Sequence, residues 1–293
     1  MKLSLAPVPF YWSVEEIRTF YDDIARTPVD IVYLGETVCY KRRGLHLDDW
    51  MEIADGLAAQ GKEVVLSSLV LVDGEAEGKA TRRLCANGRY RIEANDMSAV
   101  GLSAGTPFIA GATLNIYNEH TLALIAEAGA TRFVAPIELG SAALMTLRAR
   151  APSLECEILA FGRPALAYSA RCFTARNYDR GKDACERICL DHPEGMLVET
   201  QEDEAFLVLN GLQIHAARPL NYATELDSLR HAHIDILRIM PEKTGTDRII
   251  DAFHGLVAGR YTQDQVTTQL APFAPTGSAN GYWRGQAGRL TCL

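Results

Sequence analysis

Three of the chain's seven cysteines fall within one short stretch. Residues Tyr168 to His192 read YSARCFTARNYDRGKDACERICLDH, which spaces Cys172, Cys185 and Cys189 as C-x12-C-x3-C. A fourth, Cys39, stands far upstream in GETVCYKRR, again among basic residues. Where the compartment keeps thiols reduced, clustered cysteines serve as metal ligands or redox groups rather than as disulfides. Three close thiols and a remote fourth imply a centre that only tertiary folding can close. A four-iron cluster takes one thiolate per iron. The expectation is therefore a [4Fe–4S] cluster on Cys39, Cys172, Cys185 and Cys189, with Cys85, Cys156 and Cys292 as bystanders.

Cys185 and Cys189 are four residues apart. On one helical turn they would face the same side, with Cβ atoms about 5–6 Å apart. Arg180, Lys182 and Arg187 nearby, with Arg171 and Lys41, would offset the charge of four thiolates and lower the thiol pKa values. Zinc is the rival metal, because His192 follows Cys189 by three residues and zinc sites often use close cysteine pairs. The long x12 loop and the single distant ligand fit a zinc ribbon poorly. Buried, unliganded thiols are the third reading. The radical SAM pattern C-x3-C-x2-C is excluded, since His192 stands where its last cysteine should be. Four thiolates leave no open iron, which points to electron transfer or a structural role.

Other chemistry-bearing patterns are weaker. Gly101-Leu-Ser103-Ala-Gly105 matches the G-x-S-x-G hydrolase pattern, but a nucleophile elbow needs a strand before the serine and a helix after it. Here the order is reversed. Gly56 to Glu63 resembles a phosphate-binding loop, yet Glu63 stands where Ser or Thr must hold Mg²⁺. His215, His231 and His233 form no recognisable ligand set. Cys156 lies inside a strand and reads as core. Glu93 and Glu138, at strand ends, are the better candidates for polar site chemistry.

Short apolar runs alternate with helical patterns and set the frame for these residues. Strands are expected at Leu3–Ala6, Ile31–Leu34, Val64–Leu71, Tyr90–Glu93, Phe108–Ala112, Arg132–Ala135, Cys156–Ala160 and Ile234–Ile239. Ser13 can cap a helix reaching Arg26, with Glu15 and Glu16 in its first turn. Further helices are expected at Leu47–Gln60, Glu75–Asn87 (interrupted by Gly78), Asp96–Ala104, Thr121–Ala128, Ser141–Arg150, Asp247–Ala258 and Gln263–Leu270. Strands separated by helices imply a parallel sheet. Eight such steps imply an α/β fold of the closed (β/α)8, TIM-like kind, which commonly uses about 250 residues.

The alternation fails across 161–233, the cysteine loop and an apparent hairpin of Met196–Thr200 and Phe206–Ile214. The chain thus reads as one barrel domain, 1–293, with a cysteine-bearing insertion after strand seven and a C-terminal extension at 261–293. In a barrel, active sites gather at the C-terminal ends of the strands. Cys39 follows strand two and the other three follow strand seven, so all four emerge on that face. Ser67, Asn115 and Asn118 also point there. The extension carries Tyr282 and Trp283, read as exposed aromatics that pack across a barrel end or face a partner.

A net charge of −8 argues against a general nucleic-acid binder. No apolar run approaches the ~20 residues of a membrane span. MKLSLAPVPFYW breaks at Pro7 and Pro9 and does not read as a signal peptide, so a cytoplasmic protein is expected.

At the cysteine loop a resemblance becomes specific. MKLSLAPVPFYW, VYLGETVCYKRR around Cys39, LAYSARCFTAR with Cys172, then Cys185, Cys189 and the late NGYWR resemble the family named for collagenase-like peptidases, and within it the branch that serves anaerobic ubiquinone biosynthesis. The resemblance runs along nearly the whole chain. It implies a barrel-like fold and a [4Fe–4S] cluster on the same four cysteines. It also implies a heterodimer with a homologous, UbiU-like iron–sulfur partner, and a requirement for both in O2-independent hydroxylation of the ubiquinone ring. The peptidase label is a family name, and nothing in the sequence supplies a convincing protease centre. Two other classes stay open: a metallopeptidase or hydrolase barrel, and an RNA-modifying protein, since relatives in the broad family act on RNA.

Overall fold

The computed structural model describes residues 1–42 and 44–292; Arg43, within the Cys39 motif, and the last residue of the expected extension, Leu293, lie outside the described residues. The chain folds as a closed barrel of eight parallel strands: β1 (Lys2–Leu5), β2 (Ile31–Leu34), β3 (Glu63–Ser67), β4 (Arg91–Ala94), β5 (Phe108–Ala110), β6 (Ala130–Val134), β7 (Glu155–Gly162) and, after a long insertion, β13 (Ile236–Ile239). Neighbours pair in that order, β6 pairs β7, β7 pairs β13, and β13 returns to β1. The helices between them are α1 (Val14–Ile24), α2 (Leu47–Ala59), α3 (Glu75–Cys85), α4 (Met97–Ser103), α5 (Glu119–Glu127) and α6 (Ser141–Arg150). This is the (β/α)8 architecture that the strand–helix alternation implies.

Period-two alternation divides the core. Ile31, Tyr33, Val65, Ile109, Val134 and Ile236 face the lumen as one buried cluster. Their strand neighbours Leu3, Leu5, Val32, Leu34, Leu66 and Leu237 join the larger cluster under the helices. Successive side chains point to opposite faces, and a strand buried on both faces becomes a nearly continuous apolar run. That is why β2 reads IVYL with every residue buried.

Helix starts follow their caps. Ser13 Oγ accepts from the Glu16 N–H, while the Glu16 carboxylate accepts from the Ser13 N–H at 2.9 Å, a reciprocal capping box. Asn118 caps α5 by accepting from Thr121 N–H at 2.9 Å, so this expected site residue has a structural task. Some expected boundaries differ. α3 runs through Gly78 without interruption, a helix-interior glycine costing only about 1 kcal/mol. β3 stops at Ser67, and Val70 and Leu71 instead line the barrel mouth.

The insertion builds a small antiparallel sheet in the order β8 (Ala165–Tyr168), β11 (Gln213–Ala216), β10 (Ala205–Asn210), β9 (Met196–Glu199). The stretch Phe206–Ile214, expected as one strand, is therefore two. Gly211, at φ +65°, makes the turn between them, a conformation that a residue with a Cβ adopts at a cost. The sheet docks on the barrel's C-terminal face, where Gln213 donates to the carbonyl of Pro9, just beyond β1. The cysteine loop holds one short helix, α7 (Phe173–Asn177). The chain then passes through β12 (Leu220–Asn221) and α8 (Leu226–His231) to β13, and ends in α9 (Thr246–Val257), α10 (Gln263–Leu270) and the extension.

The extension is not an exposed aromatic surface. Trp283 is 1% exposed, packed at a tilt of 46° against Tyr222 and donating to Ser228 Oγ at 3.0 Å. Asn280 and Arg284 both donate to the buried carboxylate of Glu225, at 2.8 and 2.9 Å. An indole is the largest apolar payload a chain has, and here it pins the tail to the same chain.

Candidate metal centre

The four expected ligands arrive on two segments at the barrel's C-terminal face. Cys39 sits on the loop after β2, where Glu36 accepts from the N–H groups of Val38 and Cys39 at 2.8 and 3.0 Å and folds the turn. Cys172 is the N-cap of α7, and its Sγ accepts from the Ala175 N–H at 3.4 Å. Cys189 is buried in a 3-10 turn, Ile188–Asp191. Cys39, Cys172 and Cys189 lie within electrostatic reach of one another. Cys185 closes the turn Lys182–Ala184, and Lys41 ties that turn to the Cys39 segment by donating to the Lys182 carbonyl at 2.9 Å.

Cys185 and Cys189 do not share a helical turn, contrary to the reading of their spacing. Cys185 is right-handed, but Glu186 and Arg187 follow at φ +49° and +58°. Left-handed backbone costs a residue other than glycine roughly 1–2 kcal/mol. Two in succession between two cysteines is strain concentrated where a ligand would repay it. A right-handed residue followed by a left-handed one also turns successive N–H groups into a concavity of the kind that holds anions and iron–sulfur clusters.

The cations also differ from expectation. Arg180 is paired with Glu186 at 2.6 Å, Lys182 with Asp73 at 2.9 Å and Lys41 with Asp183. Arg187 bonds the Tyr11 hydroxyl and Arg171 is exposed. Among the described residues, the guanidinium that faces the thiols is Arg42, whose side chain is 1% exposed. It donates to the Asn210 side chain, lies 3.6 Å from the Glu36 carboxylate, and acts electrostatically on the Cys189 and Cys39 thiols. Arg42 is not among the cations expected at the thiols from the sequence. Its only signal there was its place three residues after Cys39, inside a basic run whose members look interchangeable. Even so, burial outweighs Arg42: the Cys39 thiol is pushed up to about 11 and the Cys189 thiol is also raised. Proximity to cations alone does not make these thiols acidic.

The four expected donors are all thiols, the ligand type that a four-iron cluster takes, one per iron. Among the described residues, no three His, Cys, Asp or Glu side chains converge on one ion site. His192, the alternative zinc ligand, meets the Tyr178 hydroxyl at 2.8 Å through Nε2.

Beside the thiols, the barrel mouth opens into a cavity of about 430 Å³. Pro7, Leu71, Leu166, Tyr168, Glu138 and Arg238 are among its walls. Glu93, one of the two expected polar residues, is 2% exposed and fully committed. It accepts from Arg238 at 2.7 Å and Ser67 at 2.6 Å. The chain of bonds continues down the lumen: Arg238 to Glu157 at 2.6 Å, Tyr33 to the other Glu157 oxygen, and Arg132 to Tyr33 at 3.1 Å. Glu138 stays exposed and accepts from Tyr117 at 3.3 Å, and Asn115 lines the cavity. Tyr168 is another wall of the cavity. Its hydroxyl is pushed up to about 12 by burial, and it feels both Glu93 and Arg42. The G-x-S-x-G serine, Ser103, is buried at the end of α4, with its hydroxyl 3.8 Å from the Cys85 sulfur.

The family model of peptidase family U32 matches residues 12–289. The chain belongs to peptidase family U32. Among solved structures, this U32 protein is similar to dihydropteroate synthase from Thermus thermophilus, with 12% identity and a TM-score of 0.42 over 87% of this chain and 94% of that one. It is also similar to N-acetylneuraminate lyase from Proteus mirabilis, with 8% identity and a TM-score of 0.36 over 92% of this chain and 80% of that one. Likenesses at that level carry no function. No helix among the described residues of this U32 protein is long and apolar enough to cross a membrane.

Proposed function

We propose that this U32 protein is a UbiV-like iron–sulfur protein, with a [4Fe–4S] cluster on Cys39, Cys172, Cys185 and Cys189, that works with a UbiU-like homologue in O2-independent hydroxylation of the ubiquinone ring. The observation that carries the reading is convergence: segments more than a hundred residues apart deliver cysteines to one buried arginine at the barrel mouth. When bound, such a cluster supplies one-electron transfer. A hydroxylation without O2 needs an oxygen source and a route for electrons, and a centre saturated by cysteine serves as a relay.

The chain's own residues do the rest. Arg42 brings one positive charge to the thiolates in a site that water reaches poorly. Lys41, paired with Asp183 and donating to the Lys182 carbonyl, fastens the Cys39 loop to the Cys185 turn, and Lys182 ties that turn to Asp73 beyond β3. Tyr168 lines the mouth cavity, where substrate would lie, and feels the charge of Arg42. The test is activity of the heterodimer reconstituted without oxygen, with wild-type chain and with Cys185→Ala. The reading expects quinone-ring hydroxylation only from the wild-type pair. Hydroxylation by the isolated chain, or by the Cys185→Ala pair at the wild-type rate, would overturn it. The hydrolase alternative rests on the family label alone, and would need peptide cleavage by cluster-free protein.

A further inference from the structure

The insertion sheet has its two faces reversed. Cross-strand partners share a face. The register pairs Leu207 with both Val198 and Ala216, and Leu209 with both Met196 and Ile214. Those six apolar residues therefore form one face. Val208, Asn210, Gln213 and His215 belong to the other. The second, largely polar face is the one turned to the barrel. All four of its residues are buried, Gln213 donates to the Pro9 carbonyl, and His215 meets the Arg163 carbonyl at 2.8 Å. The apolar face is turned away. Its six residues are half-buried, and among the described residues none of them joins either buried core cluster. An antiparallel sheet with one face in water normally reads apolar inside and polar outside. A contiguous apolar face on the outside marks a surface made for another molecule.

Size and charge decide which molecule. The four strands, four to six residues long, make a flat patch of roughly 300 Å² at a spacing of about 4.8 Å. A standard protein interface takes about 800 Å² from each partner, with an apolar centre and a polar rim. The face has the dimensions of such a centre, and another sheet, packed about 10 Å above it, matches its flatness. The rim is charged. Glu199, Glu202, Asp203 and Glu204, at one end of the sheet, are exposed, and none of them forms an ion pair among the described residues. Arg218 and Arg289 line the cleft beside that turn together with Glu204, which leaves this end with four acids against two arginines. The opposite end carries the exposed Arg171, Arg176 and Asp179. Anionic lipid would be repelled by the acidic end. A second copy would bring the same acidic turn and set −8 against −8. The family model spans residues 12–289 and so includes this sheet, which means that a homologue from the family has the same element to offer.

We propose that the outer face of this sheet is where the UbiU-like homologue docks, with its own insertion sheet packed over Leu207 and Leu209 and its cations opposite the 199–204 turn. The face stands on the register and the burial alone; the identity of the partner rests on the function proposed above.

The test is anaerobic mixing of the full-length chain with the purified UbiU-like homologue, read by size-exclusion chromatography and calorimetry. The variants are Leu207→Glu, Val198→Glu on the strand opposite it, and Leu124→Glu. Leu124, 66% exposed on α5, controls for a new charge away from the sheet. Leu207→Glu and Val198→Glu are each expected to weaken the pair at least about thirtyfold, as at an interface hot spot. Their iron content should stay that of wild type and their Tm within about 2 °C of it, as for a surface substitution. Leu124→Glu is expected to bind like wild type. Glu202→Lys with Asp203→Lys should weaken the pair about tenfold at low salt and less at high salt. Wild-type affinity in both sheet variants would overturn the proposal. So would unfolding of both, which would place the face in the chain's own core, or a wild-type chain that is a dimer on its own and becomes a monomer as Leu207→Glu. Iron analysis keeps the two readings apart. Full iron in a wild-type chain that never binds the homologue removes the docking face and spares the cluster. An iron-free chain whose pairing is still broken by Leu207→Glu keeps the docking face and removes the cluster.

Discussion

Replacing Arg42 with Met is the sharpest perturbation of the thiol site that touches no cysteine. The side chain is 1% exposed and reaches the Asn210 side chain, the Pro9 carbonyl at 3.4 Å, the Glu36 carboxylate at 3.6 Å and Cys189. Met fills much of the volume but answers none of these groups. Removing one partner of a buried ion pair costs about 3–5 kcal/mol, because the other charge stays behind. Glu36 retains some contact with water, its side chain being 23% exposed, which places the expected loss near the lower bound, about 3 kcal/mol. For a domain this large that is a fall of roughly 6 °C in Tm. Arg42→Lys keeps the charge but cannot serve three directions, so it should recover about half. Iron per chain after anaerobic purification should fall in the same order, wild type, Lys, Met. The assay is thermal denaturation with parallel iron analysis. A Met variant within 1 kcal/mol of wild type and fully loaded with iron would refute the role given to Arg42.

Gly211→Ala should mimic that loss from a distance: an added Cβ would stand 2.6 Å from Arg42 Nη2 at φ +65°, so iron content should drop with every cysteine intact. Trp283→Ala should destabilise the chain by about 3–5 kcal/mol, read by urea unfolding, with little change in iron per folded molecule. Burial holds His215 at about 4, below its ordinary 6.5. A depressed base contributes stability that is complete above pH 6.5 and lost as pH falls toward 4, since the unfolded chain binds the extra proton first. Lowering pH from 7 to 5 should therefore cost about 2 kcal/mol through this group, and His215→Asn should flatten that part of the stability–pH curve.

Strand periodicity was enough to read the barrel, because the lumen and the helix layer both demand apolar residues and β-strands such as IVYL have no other home. The caps at Ser13 and the boundaries at Ser141–Arg150 were equally local and equally legible. What distance in sequence hides is partnership. Nothing in CERIC says that Glu186 and Arg187 take left-handed backbone, since the i, i+4 spacing of Cys185 and Cys189 fits a helix as well. Arg180 and Lys182 looked available to the thiols because Glu186 and Asp73, their partners, were not visible as such. Arg42 looked like one of three similar basic residues until Asn210 and Glu36 closed around it. Trp283 looked exposed because its pocket is made by Tyr222 and Ser228, some fifty-five residues earlier. Arg238 and His215 carried no motif at all; their partners, Glu93, Glu157 and the Arg163 carbonyl, come from elements far away in sequence.

The central claim is a four-cysteine iron–sulfur centre, and its most direct test is metal analysis of anaerobically purified protein. Iron, sulfide and zinc should be counted per chain, with the visible spectrum, for wild type and Cys185→Ala. The account expects about four irons and four sulfides, with a broad brown absorption that the variant loses. Stoichiometric zinc without colour, or an unchanged spectrum in Cys185→Ala, would contradict it.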